Sequence, residues 1–166
     1  MCSVDGCGKP VKQRGWCAMH YSRWYKHGDV AWEPPTLAER FWSHVDRGDG
    51  CWTWTGAVAP AGYGRCTRPG GGTMVAHVFA WEQSTRRTKP VDLELDHLCR
   101  NVACVRPDHL ELVTGLENRR RAGAAKTHCP AGHPYAGDNL YVRRHPDGRT
   151  ERRCRTCRRE GMRAAP

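Results

Sequence analysis

Isoleucine is absent from this 166-residue chain, phenylalanine occurs twice, and Leu and Val number 8 and 12. Together these four types make up about 13% of the residues, too little for a conventional apolar core. With a net charge of +10, such a balance ordinarily marks a disordered chain. No apolar run is long enough to span a bilayer, so no transmembrane helix and no membrane partner is expected. No apolar stretch follows Met1, so no secretory leader is expected either. What the chain has instead is ligands, with 10 Cys and 9 His. Metal ligation can fold a chain that buries too little apolar surface. In a reducing cytoplasm, the expected location, clustered Cys and His hold zinc in preference to disulfides. Disulfides are the competing use of the same cysteines.

Lysine is scarce as well, 5 against 22 Arg. Guanidinium forks bind phosphate with two hydrogen bonds, whereas an ammonium acts more like a point charge. The charge is uneven. Residues 119–166 hold 13 Lys+Arg against 4 Asp+Glu, and residues 1–118 hold 14 against 13. A basic, Arg-rich C-terminal third points to nucleic acid; a solvated charged face is the alternative.

The spacing of Cys, His, Pro and Gly divides the chain into four segments. Residues 1–30 form an N-terminal Cys3His module, Cys2, Cys7, Cys17 and His20, running into the aromatic and basic stretch Tyr21–His27. Residues 31–49 are a linker with Pro34-Pro35, then a short helix over 36–46 opened by the capping box Thr36-x2-Glu39. Residues 50–123 are a central domain. There Cys51–Gly56 reads as a strand, Gly62–Arg65 as a turn or bulge, and Gly70–Gly72 as a hairpin tip. Met74–Trp81 reads as a strand passing into a helix, and His109–Val113 as a strand with Leu110 and Leu112 on one face. Thr114-x2-Glu117 reads as a capping box opening a helix that Gly123 ends or weakens. Residues 124–166 form a basic zinc ribbon-like module with a hairpin from Asn139 onward and a turn at Pro146-Asp147-Gly148.

Three sets of ligands suit closed tetrahedral zinc sites: Cys2, Cys7, Cys17 and His20; Cys129, His133, Cys154 and Cys157; and Cys99, Cys104 and His109 with one distant Cys. Cys51 and Cys66 compete for that last place, and Cys51 is preferred because its Gly-Cys-Trp context suits a ligand leading into a strand. His128 rivals the C-terminal set. A filled four-ligand site has no open position for water, so about three zinc ions would build the fold and leave the chemistry to another ion.

That chemistry falls to Asp96, His97 and Asn118. A carboxylate and an amide oxygen are hard ligands suited to Mg²⁺ or Mn²⁺, and a neutral imidazole can take a proton from water. Adjacent strand residues point to opposite faces, so Asp96 and His97 can serve one site only at a strand end or in a loop. Arg119, Arg120 and Arg121 follow Asn118, and with Arg65 and Arg68 are candidate DNA contacts. His77 is either a core residue or a phosphate contact.

With Asp96-His97, His109-Leu110 and Glu117-Asn118 in this order, residues 50–123 resemble an HNH (ββα-metal, or His-Me finger) endonuclease. The Cys99, Cys104 and His109 pattern also resembles the His-Cys box homing endonucleases, and the flanking Cys/His modules resemble those beside HNH domains of phage and actinobacterial proteins. The resemblance implies an α+β fold: a small zinc-stabilised ββα-metal nuclease core with flanking zinc-binding modules. It implies His97 as general base and Asp96 and Asn118 as ligands of one catalytic Mg²⁺ or Mn²⁺. Cleavage would leave 5′-phosphate and 3′-hydroxyl ends on DNA, expected to be double-stranded. His109 stands where the family carries a bracing Asn, and zinc would take over that bracing. A homodimer would cut both strands at a palindrome, and a monomer would nick. Two alternatives remain: a non-catalytic zinc-dependent DNA-binding regulator, and a phage packaging nuclease active only with a partner such as terminase.

Overall fold

The computed structural model describes residues 1–146 and 148–161, so Asp147 of the expected turn lies outside the described residues. The chain divides into two compact units, Met1–Val45 with Thr67–Thr73, and Asp46–Cys66 with Met74–Pro166. The architecture is α+β, with short helices and two-stranded sheets. Among the described residues, no helix is long and apolar enough to cross a membrane.

In the first unit, helix α1 (Ala18–His27) starts at Cys17 and ends at Gly28, whose φ of 76° closes the helix in the left-handed conformation that glycine adopts without strain. Its first turn carries the buried His20. The Trp24 ring lies 5.6 Å from that of Trp16, with the Arg14 guanidinium 4.5 Å from its centre. Helix α2 (Leu37–Trp42) opens on the expected capping box, with both reciprocal bonds formed. It stops at Trp42 rather than residue 46. The His44 N–H bonds to the Phe41 carbonyl, a tight three-residue closure that ends the helix before the chain extends.

Strands β1 (Val45–Arg47) and β2 (Trp52–Trp54) pair, as do β3 (Arg65–Thr67) and β4 (Thr73–Val75). Helix α3 (Ala76–Thr85) follows β4 directly, as expected of a strand passing into a helix. Trp54 is buried over Gly64, where a Cβ would lie 2.6 Å from the indole and 2.9 Å from the Ala76 methyl. Only glycine tolerates that approach.

Strand β5 (Leu93–His97) pairs antiparallel with β6 (Leu110–Thr114), His97 opposite Leu110 and Asp96 opposite Glu111. Leu95 and Leu110 share one face with the buried Trp81 of α3, and Val78 and Leu112 pack against them. Burying each such leucine contributes about 1.5–3 kcal/mol. Glu94, Asp96 and Glu111 lie on the opposite face, where side chains of helix α4 (Gly115–Ala125) bond to all three.

At the start of α4, Thr114 Oγ1 accepts the Glu117 N–H at 3.2 Å. Glu117 does not complete the expected box; its carboxylate takes Arg121 Nε at 3.0 Å. The helix also continues through Gly123 to Ala125. Arg152 Nη1 lies 2.8, 3.2 and 2.7 Å from the carbonyls of Gly123, Ala124 and Lys126, giving the exposed end carbonyls a charged donor. Arg152 follows strand β7 (Leu140–Arg144) on its partner β8 (Thr150–Cys154), and helix α5 (Arg155–Arg159) closes the C-terminal ribbon.

Candidate active site and zinc clusters

Three Cys3His clusters form: Cys2, Cys7, Cys17 and His20; Cys51, Cys99, Cys104 and His109; and Cys129, His133, Cys154 and Cys157. The ligand atoms lie within 4.8 Å of one another. The Sγ atoms of Cys7 and Cys17 are 3.9 Å apart and those of Cys129 and Cys157 are 3.5 Å apart, too long for disulfides. Two thiolates on one tetrahedral zinc would be about 3.8 Å apart, so the geometry fits structural zinc. In each cluster the histidine turns Nδ1 toward the sulfurs. Cys51, not Cys66, sits in the middle cluster, and His128 is outside the third. Cys66 is a half-buried free thiol, and burial raises its pKa to about 11.

The middle cluster shapes the loop between β5 and β6. Cys104 is fully buried. The Trp54 N–H bonds to the Ala103 carbonyl at 2.9 Å and the Val105 N–H to the Trp52 carbonyl at 2.8 Å, so the loop is zipped to β2 on both sides of Cys104. The Leu98 N–H reaches the His109 carbonyl at 2.9 Å.

His97 is the last residue of β5, the strand end that its adjacency to Asp96 requires. It is buried, and its Nε2 lies 3.0 Å from the Cys104 carbonyl oxygen. A carbonyl can only accept, so Nε2 carries the proton and the neutral ring keeps its lone pair on Nδ1. Burial lowers the His97 pKa. The Cys104 hydrogen bond and the Asp96 charge oppose that shift, and Arg100 adds to it. The ring is therefore neutral near pH 7 and able to accept a proton.

His77, from α3, meets His97 edge to face with ring centres 4.5 Å apart, and the Tyr63 ring lies 5.7 Å from His77. Among the described residues, the buried Nδ1 of His77 has no hydrogen-bond partner. Burial, with lesser repulsion from His97 and Lys89, pushes its pKa down to about 3. His77 is thus a neutral core imidazole.

Asp96 is 4% exposed. Its Oδ1 takes Arg100 Nη1 at 2.8 Å and its Oδ2 takes Arg121 Nη1 at 3.4 Å. Arg121 is also held by Glu111 and Glu117. From sequence Arg121 reads as a phosphate contact beside Arg119 and Arg120. In the structure it turns inward to these carboxylates, while Arg119 and Arg120 remain exposed. Arg65 and Arg68 are exposed too.

Asn118 lies on the α4 side of the same sheet. Its amide bonds to Glu94 at 2.7 Å rather than to Asp96. Because Nδ2 donates to Glu94, Oδ1 is left as an acceptor. A Cβ at Gly115 would come 2.8 Å from Glu94 Oε1, so the glycine gives this carboxylate room beside the helix start. Glu94 and Arg100 escaped the sequence reading. Period two from Asp96 was the available signal for Glu94. Nothing in the sequence marked Arg100.

A strand ending in Asp-His, a paired strand and a helix carrying Asn118 make a ββα unit, with oxygen donors on its α4 face and the His97 imidazole at the strand end, against His77. Residues 75–120 match the family model for HNH endonucleases. This segment is similar to an HNH motif. Among curated proteins and solved structures, none matches the chain. The HNH segment runs from the end of β4 to α4 and contains His77, Glu94, Asp96, His97 and Asn118, with three of the four middle-cluster ligands.

Proposed function

We propose that the chain is a metal-dependent DNA endonuclease. Asp96 and the Asn118 amide oxygen would hold one Mg²⁺ or Mn²⁺, and His97 would take the proton from the attacking water. The observation that carries this reading is the 3.0 Å bond from His97 Nε2 to the Cys104 carbonyl, within a segment similar to the HNH family. It leaves Nδ1 as the basic atom of a buried, neutral ring. Hard oxygen donors suit such a cation. Asp96 is a buried carboxylate already compensated by cationic side chains, and Asn118 has its donor atom engaged and its oxygen available.

When bound, the divalent ion would supply Lewis-acid stabilisation to the scissile phosphate and the leaving 3′ oxygen. His97 Nδ1 accepts the proton as water attacks phosphorus. Glu94 keeps the Asn118 amide in one orientation, and the Cys104 carbonyl keeps His97 in one tautomer. Arg119 and Arg120, exposed on α4, are placed to hold flanking phosphates without reading sequence. The expected products are 5′-phosphate and 3′-hydroxyl ends.

Zinc-loaded protein incubated with supercoiled plasmid and Mg²⁺ or Mn²⁺ tests this, beside His97→Ala and an EDTA control. Conversion to nicked or linear DNA, lost in both controls with DNA binding kept, is the expected result. General-base removal should lower the rate about 10²- to 10⁴-fold. An inert wild type that still binds DNA would favour the non-catalytic regulator or a nuclease that needs a partner.

A further inference from the structure

We propose that Arg100 and the divalent cation compete for Asp96, so that loading the cation releases Arg100 to bind a phosphate of the substrate. This rests on the reading of Asp96 as a metal ligand. The buried Asp96 carboxylate is paired with two guanidiniums, Arg100 at 2.8 Å and Arg121 at 3.4 Å. A dication arriving on the same oxygens would meet two like charges at close range, with little water to screen them. One guanidinium must leave.

The two arginines are not equivalent. Arg121 is 28% exposed and is also held by Glu111 and Glu117, so it has anchors that do not involve Asp96. Arg100 is 43% exposed, and among the described residues its guanidinium pairs with Asp96 alone. Arg100 also sits at φ 60°, a left-handed backbone that a non-glycine residue adopts at a cost. Its N–H is bonded to the His97 carbonyl at 3.0 Å, which fixes the turn directly after the candidate base. The strained turn therefore directs a long, partly exposed cation onto the carboxylate that the metal needs. Once displaced, that cation remains four residues from Asp96 and beside His97. A planar fork there is suited to a phosphate oxygen pair. Arg100 thus fills the metal's electrostatic place in the metal-free protein and becomes a phosphate contact in the loaded one.

The test uses full-length, zinc-loaded His97→Ala protein, so that no DNA is cut. Manganese binding is followed by electron paramagnetic resonance of the free Mn²⁺ ion, without DNA. Adding Arg100→Asn, which tolerates the left-handed backbone, should tighten Mn²⁺ about tenfold, the size of one charge-assisted hydrogen bond. Arg100→Gly should do the same, and Arg100→Lys should stay near the parent. Zinc content and melting temperature identify any variant that has not folded.

Duplex binding is then measured across salt by fluorescence anisotropy. With Mn²⁺ present, Arg100→Asn should lower the salt slope by about 0.9, the value for one neutralised phosphate. Without Mn²⁺ the slopes of parent and variant should coincide. If Asp96→Ala abolishes Mn²⁺ binding but Arg100→Asn and Arg100→Gly leave it unchanged, the exchange is overturned and the metal-ligand reading stands. If Asp96→Ala binds Mn²⁺ as the parent does, both fall.

Discussion

The Nε2 atom of His97 and the carbonyl oxygen of Cys104 lie 3.0 Å apart, joining the candidate base to a ligand of the middle zinc cluster. The zinc knuckle is therefore more than a staple. It holds the acceptor that decides which nitrogen of His97 is basic.

Cys104→Ser should accordingly damage both fold and site. A fully buried ligand is removed, and the loop that supplies the carbonyl is freed. Bound zinc, counted with a metallochromic dye after denaturation, should fall from about three per chain to about two. Far-ultraviolet dichroism should show the HNH segment unfolded. A folded Cys104→Ser protein with full zinc would sink the assignment of this cluster.

Glu94→Ala should leave the zinc count intact and still slow cleavage. Without Glu94 the Asn118 amide loses the acceptor that fixes its orientation and is free to flip. Loss of such an outer partner commonly costs about 10- to 100-fold in metal affinity or activity. Glu94→Gln, which can still accept from Nδ2, should recover most of the rate. Equal rates for wild type and Glu94→Ala would remove Glu94 from the site.

His77 makes stability depend on pH. Its folded pKa, about 3, lies below its unfolded value near 6.5. The unfolded chain therefore binds a proton that the folded chain refuses, and stability is lost as pH falls below 6.5. Between pH 7.5 and 5.5 one such group costs about 1.3 kcal/mol. Denaturant melts of wild type and His77→Leu should show that difference in their pH dependence. Parallel curves would mean that His77 is hydrated or paired in solution.

Removing residues 124–166 takes away most of the C-terminal positive charge. The slope of DNA affinity against salt should flatten by about 0.9 for each phosphate that this segment neutralises. Removal also takes away Arg152, which bonds the end carbonyls of α4. Arg152→Ala in the full chain serves as a control, lowering stability by about 1–3 kcal/mol while keeping the slope nearly unchanged. An unchanged slope in the truncated protein would mean that the ribbon faces away from DNA.

Some of this was legible locally. Short-range spacing marked the three ligand sets, because Cys and His a few residues apart converge with little help from the rest of the chain. Period two marked the Leu110 and Leu112 face, and the Thr36 capping box marked the start of α2. The Asp96-His97 pair also carried its own constraint: two neighbours on opposite faces can share a site only at a strand end, and β5 ends at His97. What the sequence could not supply was long-range pairing. Local context favoured Cys51 over Cys66, but what brings Cys51 to its partners is β2 docking against the Cys104 loop. The inward turn of Arg121 and the hold of Glu94 on Asn118 depended on α4 packing against one face of the β5–β6 pair, whereas Arg100 reaches Asp96 through the local turn after β5. Gly123 failed to end α4 because Arg152, 29 residues further on, bonds its carbonyl. Local chemistry chose the ligands and the candidate base. Tertiary packing chose their partners, because a charged side chain's hydrogen bonds depend on which element folds over it.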